Sequence, residues 1–377
     1  MEQTGEERDR KVGVDLLWVR VGQNGGTESF IRNLLDGFAR YDDKNEYLLF
    51  VSEDNADSFR HYEECPHMSL VLCNVKSASR PRRILWENLH LDREAARHRV
   101  DIMFIPVYSM PRTGRSGIPY VCVIHDLQAL HYPEYFSRVR REFLRYTWKK
   151  ACAKAQLVLT DSDYCREDLI QHYPNVQAKT RTMYVPVTSS EAAISKETVQ
   201  QRFNITPGQY YYCVSSMLPH KNLDTILRVM AALKKEHSVP DFPLVISGVG
   251  GREDDVRESI ARYDIEDRVV LTGFVTDEER DGLYENCALF LFPSIFEGFG
   301  MPPIEAMRMG RNVVMTDKSC LGEITQGKAF YVKNPTDVRE WIERMGQAFE
   351  TVPGRELFLE YAPETIARQY MALWEEI

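Results

Sequence analysis

Two glutamates separated by seven residues, Glu297 and Glu305, are the groups best suited to bind a polyhydroxylated anion. Glu297 follows an apolar run that ends at Phe292, and Glu305 follows Pro302 by three residues. The pattern predicts a strand, a loop and then a helix that opens at the proline, because the first helical N–H groups have no partner anyway. The N-terminus of that helix suits a pyrophosphate, and Glu305 could accept hydrogen bonds from two vicinal hydroxyls.

The loop between the two glutamates lets a ligand approach the backbone closely. Gly298 and Gly300 carry no side chain, and the loop lies at the carboxyl end of a predicted parallel strand, where open α/β sheets bind ligands. The alternative is that Glu297 is a solvated loop acid and that Glu305 only complements the helix dipole. Two glutamates at this spacing would alone favour that alternative, whereas the surrounding segment, SIFEGFGMPPIEAM, favours a ligand site.

Two further positions could hold phosphate. Lys221 lies at the predicted start of a helix, where a cation is unfavourable unless an anion lies between the two. Ser216 precedes it in the same loop and is a second binding candidate. Gly25 and Gly26 follow the first predicted strand and open a helix, so they can present backbone N–H groups to a phosphate. The alternatives are an ordinary surface lysine and a simple tight turn.

His125 follows another apolar strand, which ends at Ile124, and is the candidate for the reacting centre. We expect its imidazole to project toward the ligand from the carboxyl end of the sheet. The alternative is a structural histidine whose ring nitrogens are hydrogen-bonded within the protein. Both interpretations stay open at this point.

Alternating strands and helices must position these residues, and they predict an α/β fold with parallel sheets covered by helices on both faces. Seven strands are expected in residues 1–186 and six in residues 209–362. Residues 187–208 are polar and lack a strand pattern, which predicts a linker between two domains. A final helix in residues 363–377 carries an apolar stripe that must pack against another element.

The composition is that of a globular protein with two domains. The 377 residues carry a net charge of −9, which argues against a nucleic-acid binder. The eight cysteines include no C-x-x-C pair, so neither a zinc site nor a disulfide framework is expected. No apolar run approaches the roughly 20 residues that span a bilayer, and the polar N-terminus lacks the apolar core of a signal peptide. These features predict a cytoplasmic protein.

Positive charge is concentrated in residues 76–154, which hold 16 basic and 7 acidic side chains. Within this segment, residues 137–154 predict a basic amphipathic helix with Arg141, Arg145 and Lys149 along one stripe. Together with nearby aromatic residues, the stripe predicts weak, salt-sensitive contact with an anionic membrane surface. The alternative is that the aromatic residues face the core and the basic stripe is solvated.

The order of these motifs, GG, HD, P-x-KN and E-x7-E, resembles that of glycosyltransferase family 4, and the resemblance extends over nearly the whole chain. Enzymes of this family are retaining transferases with the GT-B fold, in which two Rossmann-like parallel-sheet domains face a central cleft. The resemblance implies that residues 1–186 form the acceptor domain and residues 209–362 the nucleotide-sugar donor domain. It also implies that the final helix, residues 363–377, packs back on the first domain.

The resemblance implies a role for each candidate residue. Glu305 would hold the ribose of the donor, Glu297 would contact hydroxyls of the donor sugar, and His125 would lie near the anomeric carbon. Many members carry an arginine as a second phosphate ligand where this sequence has Ser215 and Ser216. The diphosphate would be held by Lys221, Gly26 and the backbone amides of Phe299, Gly300 and Met301.

The implied reaction moves a hexose from a nucleoside-diphosphate sugar to a hydroxyl of a glycan or lipid-linked acceptor, with retention of configuration. It needs neither a metal nor a further cofactor, so we interpret Asp161-Ser162-Asp163 as the start of a helix, capped by Ser162 or Asp161, rather than as a D-x-D metal site. Such enzymes serve in cell-surface polysaccharide assembly, in the cytoplasm or at the inner face of the membrane. The alternatives are a nucleotide-sugar epimerase of the same fold and a non-catalytic protein that binds a nucleotide sugar.

Overall fold

A computed structural model describes residues 9–111, 116–189, 193–248 and 253–377. It divides the chain into two compact units, which are Met1–Pro186 with Leu359–Ile377, and Val187–Phe358. The expected polar N-terminus, residues 1–8, lies outside the described residues, as do Arg112 and Arg115 of the basic segment.

The first unit is built on a seven-stranded sheet with the strand order β3-β2-β1-β4-β5-β6-β7, and neighbouring strands are parallel. The order reverses between β1 and β4. Loops that leave these two strands diverge, which opens a crevice at the carboxyl edge of the sheet. The strands are β1 (Lys11–Asp15), β2 (Glu46–Ser52), β3 (Met68–Cys73), β4 (Ile102–Ile105), β5 (Tyr120–Val123), β6 (Leu157–Thr160) and β7 (Thr180–Thr182).

The last helix of the chain packs on the first helix of this unit. A Cβ atom at Gly37 would lie 3.2 Å from the carbonyl oxygen of Pro363, so the glycine allows the close approach. Trp374 is fully buried and its Nε1 donates to the Tyr47 hydroxyl at 3.2 Å. The described helices of the unit are α1 (Gly26–Tyr41), α2 (Arg80–Trp86), α3 (Asp92–Arg97), α4 (Gln128–His131), α5 (Arg138–Lys154), α6 (Asp163–His172) and α14 (Pro363–Glu376).

The second unit contains a six-stranded parallel sheet with the order β10-β9-β8-β11-β12-β13, which reverses between β8 and β11. Its strands are β8 (Tyr211–Val214), β9 (Leu244–Ser247), β10 (Val269–Gly273), β11 (Leu289–Phe292), β12 (Val313–Thr316) and β13 (Phe330–Val332). The described helices are α7 (Lys196–Phe203), α8 (Leu223–Leu233), α9 (Glu253–Arg262), α10 (Asp277–Asn286), α11 (Met301–Arg308), α12 (Leu321–Ile324) and α13 (Val338–Glu350). Across the described parts of both units, no helix has the length and apolar content needed to cross a membrane.

Two strands of the first unit differ from the sequence prediction by more than one residue at an end. The first is predicted to continue to Trp18, but the chain leaves the sheet after Asp15, whose Oδ1 accepts a hydrogen bond from the Leu17 N–H at 3.1 Å. The last is predicted at Thr182–Val185 and lies at Thr180–Thr182. Its partner β6 ends opposite Thr182, so the apolar residues beyond have no strand with which to pair.

Residues 187–208, predicted to form a linker, belong to the second unit. Their described part contains α7, which packs against α10. Gly282 of α10 makes room for the preceding segment, since a Cβ atom there would lie 2.5 Å from Cγ1 of Ile194. The linker prediction was wrong because an eight-residue helix with few apolar side chains gives almost no periodic signal. Residues 190–192 lie outside the description.

Candidate functional site

Lys221 and Glu297 form an ion pair at the reversal point of the second sheet. Lys221 ends the 3-10 turn Pro219–Lys221 after β8, and Glu297 lies in the loop after β11. The distance from Lys221 Nζ to Glu297 Oε1 is 2.7 Å. The two loops are joined by the Ile295 N–H, which donates to the His220 carbonyl oxygen at 2.8 Å. The sheet topology and this hydrogen bond therefore bring together two residues that lie far apart in the sequence.

At one position, Gly300, the loop that carries Glu297 has a backbone conformation that favours glycine. Gly300 caps α11 with φ 92°, and a Cβ atom on it would lie 2.9 Å from Cδ2 of Leu321. Since Pro302 and Pro303 have no N–H, the N–H groups of Gly300 and Met301 remain to interact with an anion at this helix end. Gly298 and Phe299 precede them in the same loop, and the Phe299 side chain is buried.

Glu305 lies in the second turn of α11 and is bound by two residues of α10. The Tyr284 hydroxyl donates to Glu305 Oε2 at 2.7 Å, and Arg280 Nε lies 3.8 Å from the same oxygen. Burial raises the pKa of Glu305 above its usual value, although the Arg280 charge opposes the rise. Both contacts involve Oε2, so Oε1 can accept a hydrogen bond from a ligand hydroxyl. Neither partner on α10 was assigned a role from the sequence.

His220 is a further residue of this site that the sequence patterns did not single out. Its carbonyl oxygen accepts hydrogen bonds from the Ile295 N–H and from the Ser294 hydroxyl, the latter at 3.1 Å. Burial, together with the Lys221 charge, lowers the pKa of the His220 imidazole to about 4. The ring is therefore neutral near pH 7. Ser216, the other candidate in the loop after β8, is half-buried.

Gly25 and Gly26 occupy the turn from β1 into α1 in the first unit. Gly25 caps the helix with φ 55°, and its carbonyl oxygen accepts from the N–H groups of Glu28 and Ser29 at 2.9 and 3.1 Å. The N–H groups of Gly26 and Thr27 open the helix and have no partner within it. The prediction for this turn is that these N–H groups bind an anion.

Both ring nitrogens of His125 face hydrogen-bond acceptors of the protein. Nδ1 lies 2.7 Å from Asp161 Oδ2, and Nε2 lies 2.9 Å from the Pro106 carbonyl oxygen. Burial disfavours a charged imidazole, but the Asp161 carboxylate and both hydrogen bonds outweigh it, so the pKa of His125 is raised. Two acceptors satisfy a doubly protonated ring, which leaves no nitrogen to accept a proton from a substrate.

Replacing Asp161 by asparagine should lower the pKa of His125. Asparagine keeps an acceptor for Nδ1–H but removes the negative charge, so the effect of burial then dominates. We expect the titration midpoint of the His125 ring, measured by NMR, to fall in the Asp161→Asn protein. The matched control is Asp168→Asn, which alters the similar pair of Asp168 with His131 at 2.8 Å and should leave His125 unchanged.

The same pair makes stability depend on pH. A raised folded-state pKa contributes stability that is fully present below the unfolded value of 6.5 and is lost as pH rises through the folded-state pKa. The wild-type protein should therefore lose more stability than Asp161→Asn across that interval, as followed by thermal unfolding. An identical His125 midpoint in both proteins would contradict the charge pairing.

The segment Asp161-Ser162-Asp163 divides into three separate roles. Ser162 caps α6, where its Oγ accepts from the Cys165 N–H at 3.2 Å. Asp161 pairs with His125 instead of capping the helix, and Asp163 Oδ1 accepts from the Thr182 hydroxyl at 2.5 Å. The described residues contain no group of three or more His, Cys, Asp or Glu side chains placed to hold a metal ion.

The candidate residues thus fall into two sets, one in each unit. Lys221, Glu297, the 298–301 backbone and Glu305 lie together beyond β8 and β11. Gly25, Gly26 and His125 lie beyond β1 and β5 of the first sheet. In each unit the set lies at the carboxyl edge, where parallel sheets bind ligands.

Two family models together match almost the entire chain. Residues 24–190 match the model described as Glycosyltransferase Family 4, and residues 195–365 match the model described as Glycosyl transferases group 1. The chain belongs to the group 1 glycosyltransferase family. The resemblance drawn from the order of the sequence motifs is thereby confirmed.

Curated relatives of this group 1 glycosyltransferase include bacterial proteins named for O-antigen assembly. The O-antigen chain mannosyltransferase B of Escherichia coli is 31% identical over 226 residues, which are 58% of this chain and 58% of that protein. The O-antigen chain mannosyltransferase RfbU of Salmonella typhimurium is 27% identical over 221 residues, 58% of this chain and 57% of that protein. The matched region thus spans less than two thirds of either relative.

Solved structures show the fold of this family member. HepE of Anabaena, in complex with UDP and glucose, has a TM-score of 0.68 at 18% identity and covers 98% of this chain and 100% of that chain. Sucrose-phosphate synthase of Thermosynechococcus elongatus has a TM-score of 0.67 at 14% identity, with coverage of 97% and 98%. The fold class is GT-B, which confirms the α/β class with two parallel-sheet units that the sequence predicts.

Proposed function

We propose that this group 1 glycosyltransferase moves a hexose from a nucleoside-diphosphate sugar to a hydroxyl of a glycan or lipid-linked acceptor in polysaccharide assembly. The observation that carries the proposal is the ion pair of Lys221 with Glu297 at the reversal point of the second sheet. A cation and an acid, next to a helix N-terminus, offer separate partners for a diphosphate and for sugar hydroxyls.

Binding of the donor exchanges one partner of Lys221 for another. The side chains of Lys221 and Glu297 are 26% and 14% exposed, so the pair is accessible to a ligand and yet shielded from bulk water. The diphosphate takes the ammonium group, together with the N–H groups of Gly300 and Met301. Glu297 is then released to accept hydrogen bonds from the donor sugar, and Glu305 Oε1 from the ribose.

The departing diphosphate provides the base for the reaction. As its bond to the anomeric carbon lengthens, Lys221 and the helix end stabilise the charge that develops on the phosphate oxygens. The acceptor hydroxyl attacks from the same face, gives its proton to a phosphate oxygen, and configuration is retained. His125 is not assigned the role of a base, because both of its ring nitrogens already face hydrogen-bond acceptors of the protein.

A panel of nucleoside-diphosphate hexoses tests the proposal. The relatives named as mannosyltransferases make mannose donors the first to try. We expect one donor to raise the melting temperature and to release nucleoside diphosphate slowly in the absence of an acceptor. Recovery of an epimeric nucleotide sugar would instead establish an epimerase, and saturable binding without turnover would establish a binding protein; either result would overturn the transferase.

Activity should persist in excess chelator. Lys221 and the N-terminus of α11 supply the positive charge that the leaving diphosphate requires, which is the task a divalent cation performs in other transferases. The measurement is the initial rate of nucleoside-diphosphate release with EDTA and with added magnesium or manganese. A strict requirement for either cation would contradict this assignment and would indicate a metal site, for which Asp161 and Asp163 are the candidate ligands.

Contact with an anionic membrane should be weak and should involve α5. Leu144 and Trp148 are buried in the unit, as in the alternative interpretation of this helix, whereas Tyr146 is 64% exposed. Arg145 and Lys149 are exposed and near a surface would each contribute about 1 kcal/mol of attraction, which salt screens. We expect sedimentation with anionic vesicles at low salt, none with neutral vesicles, and loss of binding when both residues become glutamate. Absence of sedimentation at low salt would contradict the contact.

A further inference from the structure

A pocket of the first unit carries a concentration of arginines that the candidate donor site does not use. It opens beyond β1 and β4, the point at which the first sheet reverses its order. Its lining includes four arginines and His125, and none of the described residues that line it is an aspartate or a glutamate. The four arginines are Arg20, Arg80, Arg83 and Arg140.

Three of these arginines provide uncompensated charge. Within the described residues, Arg20, Arg80 and Arg140 have no carboxylate within ion-pair distance. The Arg80 guanidinium lies over the Phe143 ring at 5.2 Å and that of Arg140 over the Phe136 ring at 5.3 Å. A guanidinium stacked on a ring keeps its N–H edge available for a second partner.

Arg83 is held in position by a residue that does not line the pocket. Its Nη1 donates to Glu87 Oε1 at 3.0 Å, and both side chains are buried. Burial raises the pKa of Glu87 and that of the neighbouring Asp15, while the charge of the Arg83 guanidinium opposes both rises. Arg83 therefore lines the pocket as a donor whose position is fixed by its hydrogen bond to Glu87.

A second observation also indicates a missing ligand. The hydroxyl of Ser109, which lines the same pocket, is buried and has no hydrogen-bond partner among the described residues. A buried hydroxyl without a partner is costly, and a ligand oxygen would remove that cost. Together with the N–H edges of the arginines, it forms a set of donors suited to phosphate oxygens.

We propose that this pocket binds the phosphate or diphosphate group of an anionic acceptor. The proposal rests on the transferase function argued above and specifies the chemical class of its acceptor. The anionic group is held by Arg20, Arg80 and Arg140, and the acceptor hydroxyl lies on the side of His125. Donor and acceptor phosphates thus have separate sites, the first at Lys221 in the second unit and the second here.

Calorimetry with inorganic pyrophosphate tests the pocket. Donor-site binding is suppressed by saturation with nucleoside diphosphate. The double variant Arg80→Gln and Arg140→Gln should bind pyrophosphate roughly a hundredfold more weakly, since each charge-assisted contact contributes about a factor of ten. The control, Arg82→Gln with Arg93→Gln, makes the same change in net charge at exposed residues outside the lining. Equal pyrophosphate affinity in the two double variants would overturn the proposal.

The failure of this proposal and that of the transferase function are distinguishable. The pocket variant should keep its affinity for nucleoside diphosphate, whereas Lys221→Ala should lose it and keep the second pyrophosphate site. Competition then identifies the source of the anionic group. Displacement of pyrophosphate by a soluble sugar diphosphate supports the pocket and identifies a soluble acceptor. Displacement by a polyprenyl diphosphate in neutral vesicles also supports the pocket and identifies a lipid-linked acceptor. Displacement by neither overturns the proposal.

Discussion

Replacing Lys221 by alanine should lower the turnover number by about 10²–10³, the usual effect of removing one preorganised donor from a developing anion. Affinity for the nucleoside diphosphate should also fall by about 1.5–3 kcal/mol, because a charge-assisted contact is lost. Within the described part of the chain, the Glu297 carboxylate has an ion pair with Lys221 alone, at 2.7 Å, so the substitution also leaves a half-buried carboxylate uncompensated. Steady-state kinetics and calorimetry measure the two effects separately.

The matched control is Lys328→Ala. Lys328 forms an ion pair with Glu356 at 2.8 Å in the same unit, but it lies outside the candidate site. Its side chain is 40% exposed, so the substitution should change stability by less than about 1 kcal/mol and leave turnover unchanged. If Lys221→Ala and Lys328→Ala bind nucleoside diphosphate equally well, the second unit does not hold the donor in the way proposed.

Glu297→Gln separates the two roles of the pair. It removes the charge that Lys221 contacts in the free protein while it keeps the shape of the side chain. If Lys221 exchanges Glu297 for the diphosphate, this variant should bind nucleoside diphosphate at least as tightly as the wild type. Its turnover should nevertheless fall, because the carboxylate that accepts hydrogen bonds from the donor sugar is lost.

The sheets were predictable from sequence because their strands are short apolar runs between polar segments. Strands buried on both faces, such as Ile102–Ile105 and Leu289–Phe292, give a continuous apolar signal whose ends are sharp. The predicted strand ends are wrong where the hydrogen bonds between neighbouring strands are replaced by another interaction or come to an end. At Asp15 a side chain captures the Leu17 N–H, and at Thr182 the neighbouring strand ends.

The placement of Gly300 and Glu305 in the candidate site was predictable for a different reason. Gly300 and Glu305 lie in one continuous segment, so their spacing alone places Gly300 at the start of a helix and Glu305 within its first two turns. The partners of such residues come from other segments, and a single sequence contains no signal for the pairing. Asp161 lies 36 residues from His125, and Tyr284 lies 21 residues from Glu305.

The arginine pocket shows the same limit. The excess of positive charge in residues 76–154 is visible in the sequence, and it suggests an anionic partner without indicating which face holds it. Only the fold shows that Arg80 and Arg140 lie in one pocket with Arg20, which belongs to the loop after β1. The reason is that the topology of the sheet, rather than any local sequence pattern, brings these helices and loops together.

Replacing Trp374 by alanine should destabilise the first unit by about 3–5 kcal/mol, the usual cost of removing a large buried aromatic side chain. The indole is fully buried and contacts the rings of Phe104 and Tyr370, each with centroids 5.6 Å away. Its Nε1 donates to the Tyr47 hydroxyl, which in turn donates to Asp42 Oδ2 at 2.7 Å. The substitution therefore opens a cavity and removes one hydrogen bond of this chain.

Two further variants separate these contributions. Trp374→Phe keeps most of the volume and loses the N–H, so it should cost about 0.5–1.5 kcal/mol for the hydrogen bond in addition to a smaller cavity. Glu375→Ala, on the exposed side of the same turn, is the control and should change stability by less than about 0.5 kcal/mol. Calorimetric melting gives the size of each effect. Hydrogen exchange of the amides in β1, β2 and β4 locates it, because these strands should open together when the final helix is weakened. Protection of those amides equal to that of the wild type in Trp374→Ala would show that the final helix does not stabilise this sheet.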